Sequence, residues 1–352
     1  MNVEHGGNIY EYEKELIDFS SNINPLGPPA EVQKVLDGGC KDIERYPDRD
    51  YSRLHQKLAD HHDVSRDMIL PGNGAAEIIY LLGKLLEKSR VLIPVPTFSE
   101  YAHVVRINQG VPVFLKRPRS AGLSPPLASL KKYEDIDAIF LCRPNNPGGS
   151  LQPRSDLEEI LEMGALIIAD ESFLDFLPRE EEETLIEHLP RRENLIVLRS
   201  STKFYALPGL RLGYALASPA IIEKLSAHQP PWSINALAAE VGRRLPELAG
   251  FRHSTHTWLQ KERDYLEKNL EKMGWLELYP GEANFILLGL KEKKFTAAEL
   301  KEEMVEEGIL IRDCASFRGL DEYHFRLAVK AHNDNKKLLS ALETVRSRLK
   351  GS

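Results

Sequence analysis

The stretch RSSTKFYALPGLRLGY, residues 199–214, sets a lysine among groups that bind anions. The apolar run 195–198 before it predicts a short buried strand, and three hydroxyl residues, 200–202, then lead to Lys203. Arg211 follows in a Pro-Gly-Leu-Arg context that is typical of a turn. We therefore expect a loop at a strand end that presents Lys203 and Arg211 to one ligand.

A lysine in such surroundings predicts a covalent bond to an aldehyde. Burial and neighbouring charges depress the pKa of the amine and make it nucleophilic, and pyridoxal 5'-phosphate is the aldehyde most often held this way. Ser200, Thr202 and Arg211 would bind the phosphate of this cofactor. The stretch resembles the Schiff-base signature of the fold-type I pyridoxal-phosphate enzymes, the aspartate aminotransferase superfamily. A solvated surface loop is the plainer interpretation of the segment when it is taken alone.

The bulk composition is that of an ordinary globular protein. The chain has 352 residues, 42% of them hydrophobic, and a formal net charge of −7. Because this length usually exceeds one hydrophobic core, we expect two lobes. The acidic balance argues against nucleic acid as a partner. Cys40, Cys142 and Cys314 lack metal-ligand spacing and are expected to bind no metal. We see neither a signal peptide nor a membrane-spanning run, so we expect a cytoplasmic protein.

Apolar runs alternate with helical patterns in the first two thirds of the chain. Runs without polar alternation are typical of strands covered on both faces, and the intervening helices favour a mainly parallel sheet. The strand candidates are residues 91–93, 111–115, 138–142, 166–169 and 195–198. After a turn at 229–235, a helical pattern runs from 236 to 273, and shorter strands and amphipathic helices follow.

Together with these patterns, the resemblance implies a specific α/β fold. It implies the aspartate-aminotransferase-like fold type I, with a large domain built on a mainly parallel seven-stranded sheet and a smaller α/β C-terminal domain. We place an N-terminal arm that joins the small domain at residues 1–45, the large cofactor domain at 46–235 and the small domain at 236–352.

Two further segments are expected at the cofactor. In PGNGAAE, Gly74, Ala75 and Ala76 open a helix whose free N–H groups and positive dipole end favour a phosphate. In PVPTFSEY, the resemblance makes Phe98 the ring that stacks on the cofactor pyridine.

Two motifs follow strand ends, where ligands of open α/β sheets bind. RPNNPGG resembles the family's N-P-x-N-P-T-G, which makes Asn146 the donor to the cofactor's phenolic oxygen. In DESFLDF, Asp170 would pair with the protonated pyridine nitrogen and keep the ring an electron acceptor. Arg143 and Gly148 replace the frequent Asn and Thr, and Phe173 stands where many relatives have a Tyr that contacts the phenolic oxygen.

The N-terminal third suggests substrate contacts and a dimer. His5 and Asn24 lie in a Gly-, Asn- and Pro-rich arm and are candidate donors to an anionic substrate, although turn formation explains such residues equally well. RYPD resembles a segment of histidinol-phosphate aminotransferases in which a tyrosine crosses to the partner's cofactor phosphate. Tyr46 would have that role, so a homodimer is implied.

Two arginines in the C-terminal part are implied to bind substrate. Arg326, in HFRLA, corresponds to the superfamily arginine that binds the substrate carboxylate, and Arg312, in IRDCASFRGL, matches a position that binds a substrate phosphate. Segments HGGN, DFSSNINPLG, PPWSIN and GILIRDCASFRGL, with the lysine stretch, are similar to threonine-phosphate decarboxylases of cobalamin synthesis.

This resemblance implies decarboxylation of L-threonine O-3-phosphate to (R)-1-amino-2-propanol O-2-phosphate, a reaction in which Asn146 would also contact the substrate. Histidinol-phosphate aminotransferase and serine-phosphate decarboxylase are the alternatives, because the same groups serve transamination and one methyl group discriminates only ~10–200-fold. A protein that binds the cofactor only as a regulator or scaffold is a weaker third alternative.

Overall fold

The computed structural model describes residues 6–38, 44–117, 127–130, 132–133 and 135–351. The strands are β1 (Ile17–Asp18), β2 (Ile69–Gly72), β3 (Arg90–Val95), β4 (Val111–Lys116), β5 (Ala138–Cys142), β6 (Leu166–Asp170), β7 (Leu195–Ser200), β8 (Gly213–Ala217), β9 (Leu276–Leu278), β10 (Phe285–Leu290), β11 (Ile309–Leu310), β12 (Arg312–Asp313) and β13 (His324–Ala328).

Helices surround these strands. They are α1 (Ala30–Asp37), α2 (Ser52–His62), α3 (Gly74–Leu85), α4 (Glu100–Ile107), α5 (Leu127–Leu130), α6 (Arg154–Leu161), α7 (Glu180–Glu183), α8 (Ser201–Phe204), α9 (Pro219–Ser226), α10 (Ala236–Gly242), α11 (Ala249–Lys272), α12 (Ala297–Glu306) and α13 (His332–Gly351). Among the helices of the described residues, none has both the length and the apolar character needed to cross a membrane.

The seven-stranded sheet is mainly parallel, as predicted. Its strand order is β2-β8-β7-β6-β5-β3-β4, and β8 alone runs antiparallel to both of its neighbours. Strand β8, a Gly-Tyr-Ala-Leu-Ala segment that begins within the last two residues of the lysine stretch, was not among the predicted strands. Because β8 returns the chain beside β7, most of the lysine stretch forms the connection between these two neighbouring strands, at the carboxyl end of β7.

Both faces of this sheet are buried, which explains the uninterrupted apolar runs. In β5, Ile139 and Leu141 belong to one core, while Ala138, Phe140 and Cys142 belong to the core on the opposite face. The same alternation in β6 and β7 directs successive residues at the strand ends to opposite faces of the sheet. Neighbouring residues at these strand ends can therefore take part in different structures on the two faces of the sheet.

Two smaller sheets complete the fold. The four-stranded antiparallel sheet has the order β12-β13-β10-β9, and β1 pairs in parallel with β11. In the ladder between β12 and β13, Arg312 lies directly opposite Arg326. Directly opposed residues share a face of the sheet with their Cβ atoms about 5 Å apart, so these two side chains start from neighbouring positions.

The helix predicted over 236–273 is interrupted. Helix α10 ends at Gly242, a short 3-10 turn covers Leu245–Glu247, and α11 begins at Ala249. Pro246 lies in this turn, and a proline has no N–H to donate to an α-helix. The prediction of one continuous helix was therefore wrong, for a reason that was visible in the sequence.

Candidate active site

A cavity of about 230 Å³ lies at the carboxyl ends of β5, β6 and β7, and we call it the inner cavity. Nine residues predicted from the sequence line it: Ala75, Ala76, Phe98, Asn146, Asp170, Ser200, Thr202, Lys203 and Arg211. Its lining also includes Ile79, Tyr101, Cys142, Ser172 and Phe173. Strand ends therefore bring together residues that are up to 136 positions apart in the sequence, from Ala75 to Arg211.

Lys203 lies in α8, a single helical turn that begins where β7 ends. The Ser200 hydroxyl caps this turn by accepting from the Thr202 N–H, and it also accepts from Lys203 Nζ at 3.4 Å. Burial lowers the pKa of Lys203, and the charge of Arg211 acts in the same direction against the opposing charge of Asp170. A lowered pKa leaves more of the amine neutral, which is the form that attacks an aldehyde.

The N-terminus of α3 and Arg211 form a cradle for an anion. Gly74 has φ +77°, and a Cβ at this position would collide with the guanidinium of Arg211. The side chain of Asn73 makes no capping hydrogen bond, so the first N–H groups of α3 are left for a ligand. Arg211 itself donates only to the carbonyl of Pro208, at 3.3 Å, among the contacts of the described residues. Arginine with helix N–H groups fits the phosphate of pyridoxal phosphate.

Asp170, which also lines the inner cavity, is held by two hydrogen bonds. Its Oδ2 accepts from the Tyr101 hydroxyl at 2.5 Å, and its Oδ1 accepts from the Ser172 N–H at 2.9 Å. Burial and the charge of Asp170 raise the pKa of Tyr101 well above its ordinary value, so this phenol stays a donor. A buried carboxylate held in this way fits a cationic pyridine nitrogen.

Tyr101 is a site residue that was not among the predicted ones. It stands three positions after Phe98 and meets that ring edge-on, with centroids 5.6 Å apart, and its own ring stacks on Phe140 at 4.5 Å. The available signal was its closeness to Phe98 in the sequence, since Tyr101 lies in the first turn of α4, directly after the segment that contains Phe98.

Asn146 and Arg326 are connected directly. Arg326 donates from Nη1 to Asn146 Oδ1 and from Nη2 to the carbonyl of Ser20 at 2.7 Å. With its oxygen engaged, Asn146 has its NH₂ group left to donate toward the inner cavity. Burial lowers the pKa of Arg326 to about 10, and the positive charge of Arg312 also contributes to the lowering.

Arg312 faces a second cavity of about 640 Å³, which we call the outer cavity. Phe98 lines both cavities, so the two are neighbours. Arg312 donates from Nη2 to the hydroxyl of Ser316 at 3.0 Å and is buried along its stem. Arg312 thus lines the outer cavity, whereas Arg326, opposite it in the ladder, is connected to the inner cavity through its hydrogen bond to Asn146.

Two predicted residues, Asn24 and Tyr46, lie away from both cavities. Asn24 is buried, and its NH₂ donates to the carbonyl of Phe204 at 2.8 Å and the hydroxyl of Thr255 at 2.9 Å, while its side-chain oxygen accepts from the Leu26 N–H. The expected substrate contact of Asn24 is thus corrected to an anchor of the N-terminal arm.

Tyr46 is the second of these residues. Tyr46 is 82% exposed and packs on the ring of Trp232 at 4.9 Å, away from both cavities of its own chain. His5 lies outside the described residues.

A buried ionic layer covers the sheet face opposite the inner cavity. Cys142, Asp170 and Ser200 line the cavity. Their neighbours in the chain, Arg143, Glu171 and Arg199, form the layer. Arg143 pairs with Glu171 at 3.2 Å, and Arg199 pairs with the other oxygen of Glu171 at 3.4 Å. The substitution Arg143, noted above as unusual, is explained by this layer.

The comparisons with known proteins agree with the fold. The family model of aminotransferases of class I and II matches residues 14–345. A threonine-phosphate decarboxylase of Salmonella typhimurium is 39% identical over 359 aligned residues, which cover 98% of this chain and 97% of the relative.

Two solved structures are also similar. The histidinol-phosphate aminotransferase of Clostridium acetobutylicum has a TM-score of 0.88 and 32% identity, and the alignment covers 95% of this chain and all of that one. The L-threonine-O-3-phosphate decarboxylase of Porphyromonas gingivalis has a TM-score of 0.83 and 31% identity, with 94% and 99% of the two chains covered.

Proposed function

Because the chain belongs to the aminotransferase class I and II family, we propose that it binds pyridoxal 5'-phosphate and decarboxylates L-threonine O-3-phosphate. The products would be CO2 and (R)-1-amino-2-propanol O-2-phosphate. The cofactor would bind in the inner cavity, and Lys203 and Asp170 would be the catalytic residues.

The observation that carries the substrate assignment is the Arg312 and Arg326 pair. The two residues are opposed in the β12–β13 ladder, so their side chains leave one sheet face at positions about 5 Å apart. Two arginines side by side suit a small molecule with two anionic groups, since each guanidinium binds a carboxylate or phosphate through parallel N–H bonds. A phosphorylated amino acid has both groups, and we assign its carboxylate to Arg326 and its phosphate to Arg312.

The residues of the inner cavity would hold the cofactor by its three polar ends. Arg211, Ser200, Thr202 and the first turn of α3, with Gly74, Ala75 and Ala76, would bind the phosphate, and Phe98 would cover the ring. Asp170 would pair with the ring nitrogen, and Asn146 would donate to the phenolic oxygen. When bound, the cofactor supplies a ring that accepts the electron pair left at the substrate's Cα.

The chain's own contribution is orientation and proton transfer. Arg326 fixes the carboxylate, and Lys203 Nζ holds the proton that replaces CO2 at Cα once the bond between Cα and the carboxylate has broken. The lowered pKa of Lys203 suits this role, because a weakly basic ammonium gives up its proton readily. Closely packed walls such as Phe173 and Tyr101 keep water from competing for Cα.

Histidinol-phosphate aminotransferase is the second candidate, favoured by the similarity to the Clostridium acetobutylicum structure. Both reactions use one lysine and one carboxylate, and the choice depends on which bond at Cα lies perpendicular to the cofactor ring. Serine phosphate is a third candidate, as a substrate one methyl smaller.

Further assignments also belong to the proposal. The protein would act as a cytoplasmic homodimer in cobalamin synthesis, with Tyr46 reaching the partner's cofactor phosphate. The exposed position of Tyr46 is compatible with this role. The division into an arm, a large domain and a small domain at residues 45 and 235 likewise remains a prediction.

The test is a paired product assay on the cofactor-loaded protein. L-threonine O-3-phosphate is supplied with and without a 2-oxo acid, and CO2 and amine are measured. We expect equal amounts of CO2 and amine, at a rate that the acceptor does not change. Absence of CO2, together with amino transfer from histidinol phosphate to 2-oxoglutarate, would replace the proposal by the second candidate.

A further inference from the structure

The outer cavity contains a pair of arginines that neither the cofactor nor the Arg312–Arg326 pair uses. Phe114, in β4, has the guanidinium carbon of Arg318 at 4.1 Å from its ring centroid and that of Arg106 at 5.6 Å. Arg106 lies in α4, beside the seven-stranded sheet, and Arg318 lies in the loop that follows β12. Two separate parts of the fold thus bring like charges to one aromatic ring.

The charges in this cavity are unbalanced. Arg106 and Arg318 both line it, and none of the described lining residues is an aspartate or a glutamate. Neither Arg106 nor Arg318 pairs with a carboxylate among the residues that the structure describes. Carboxylates are abundant elsewhere, since the chain has 53 acidic residues against 46 Lys and Arg. Like charges held together without counter-charges repel each other, and a bound anion would relieve that repulsion.

The rest of the lining suits a tetrahedral oxyanion. Thr97, Ser99 and Ser316 contribute hydroxyl groups to the same cavity. Both guanidinium groups lie over the ring of Phe114, and a guanidinium has five N–H donors for contacts with a phosphate. Both arginines are exposed, so an anion arriving from solvent reaches them directly.

We propose that Arg318 and Arg106 form a phosphate-binding position in the outer cavity, which captures the phosphate group of the substrate before Arg312 receives it. The capture step rests on the proposed function, whereas binding of a phosphate oxyanion at this position does not. Charges at the rim of a site act mainly on association, so the position raises the rate of substrate capture and leaves the chemical step unchanged.

Inorganic phosphate is the probe for the site itself. Its binding to the cofactor-loaded protein is measured by titration calorimetry for the unsubstituted chain, Arg318→Met, Arg106→Met and Arg318→Lys. Arg191→Met is the control, because Arg191 is exposed and lies outside the outer cavity. We expect a phosphate Kd at least about tenfold higher in both Met variants at the cavity, partial recovery in Arg318→Lys and no change in the control. An equal Kd in all five proteins would overturn the proposal.

Kinetics with L-threonine O-3-phosphate identify the source of the phosphate. Capture of substrate predicts a KM about tenfold higher in Arg318→Met, an unchanged kcat and a weaker dependence of kcat/KM on salt. Weakened phosphate binding with an unchanged KM would support a site for free phosphate and reject substrate capture. If the unsubstituted protein releases no CO2, the proposed function fails, and calorimetry still decides the site.

Discussion

Arg326 in β13 donates a hydrogen bond to the side-chain oxygen of Asn146, 180 positions earlier in the loop after β5. The residue proposed to bind the substrate carboxylate therefore also fixes the amide proposed to contact the cofactor's phenolic oxygen. A substrate carboxylate that binds Arg326 would alter the hydrogen bond from Arg326 to Asn146. Binding of substrate and binding of cofactor would therefore be coupled through these two residues.

The coupling predicts a non-additive pair of substitutions. Asn146→Ala and Arg326→Met should each lower kcat/KM by about 100-fold or more, the scale of losing one positioned donor. The double variant should lose clearly less than the product of the two effects, because contacting residues do not act independently. Steady-state kinetics on the four proteins of this cycle measure the coupling, and strict additivity would contradict it.

Asp170 is predicted to act through its charge. Asp170→Asn should bind the cofactor yet lower kcat about 100-fold or more, since an electrostatic partner in a buried site is lost. Tyr101→Phe, which removes the 2.5 Å hydrogen bond to Asp170, should have a smaller effect in the same direction. Tyr80→Phe is the matched control, because the Tyr80 hydroxyl donates to Glu100 at the surface. If kcat of Asp170→Asn equals that of the control, the assignment of Asp170 is wrong.

With the cofactor bound as proposed, Phe173 would leave its phenolic oxygen with one donor fewer than in many relatives. Its ring packs edge-on against Phe285 at 5.0 Å and lies 5.4 Å from Lys203 Nζ. Phe173→Tyr adds a hydroxyl there, and a donor to an anionic oxygen stabilises the deprotonated form. We expect the pH midpoint of the cofactor's visible absorption change to fall by about one unit, the scale of one hydrogen bond to a charged group. A midpoint that stays or rises would show that position 173 does not face this oxygen.

The main features of the fold and cavity were predictable because they are local. Asp170 and Ser200 end apolar runs, and Lys203 and Arg211 lie within one stretch, so their shared position follows from parallel strands. The break at Pro246 was equally local and was overlooked. Strand β8 is short, contains Gly213, and carries no periodic signal of its own.

The remaining contacts depend on partners far apart in the chain. The ionic layer joins Arg143, Glu171, Arg199, Glu180 and Arg252, and no spacing within the sequence indicates those pairs. The hydrogen bonds of Asn24 likewise reach Phe204 and Thr255, so an arm residue that looked free to bind substrate serves as an anchor.

Glu180 predicts a stability that depends on pH. Burial opposes its charge, yet Arg199 and Arg252 lower its pKa from 4.5 to about 2. A depressed carboxyl pKa stabilises the fold above the unfolded pKa, and this contribution is lost as pH falls from about 4.5 toward 2. Glu180→Gln should therefore lower the free energy of unfolding by ~3–5 kcal/mol at pH 7, the cost of removing one partner of a buried pair.

Urea unfolding between pH 3 and pH 7 checks this prediction, since the difference from the unsubstituted chain should shrink as the pH falls. Glu162→Gln serves as the control, because Glu162 pairs with Arg192 at the surface and should show little change. A difference for Glu180→Gln that is constant with pH would contradict the ion-pair explanation.

Our main proposal is that Arg312 binds the substrate phosphate while Arg326 binds the carboxylate of the same molecule. The most direct measurement is the ratio of kcat/KM for L-threonine O-3-phosphate to that for L-threonine, in the unsubstituted protein and in Arg312→Met. We predict that the ratio falls by about 100-fold or more in the variant, because the charge-assisted contacts to the phosphate are lost while L-threonine is little affected. An unchanged ratio would contradict the claim and show that the phosphate is bound elsewhere or is not recognised.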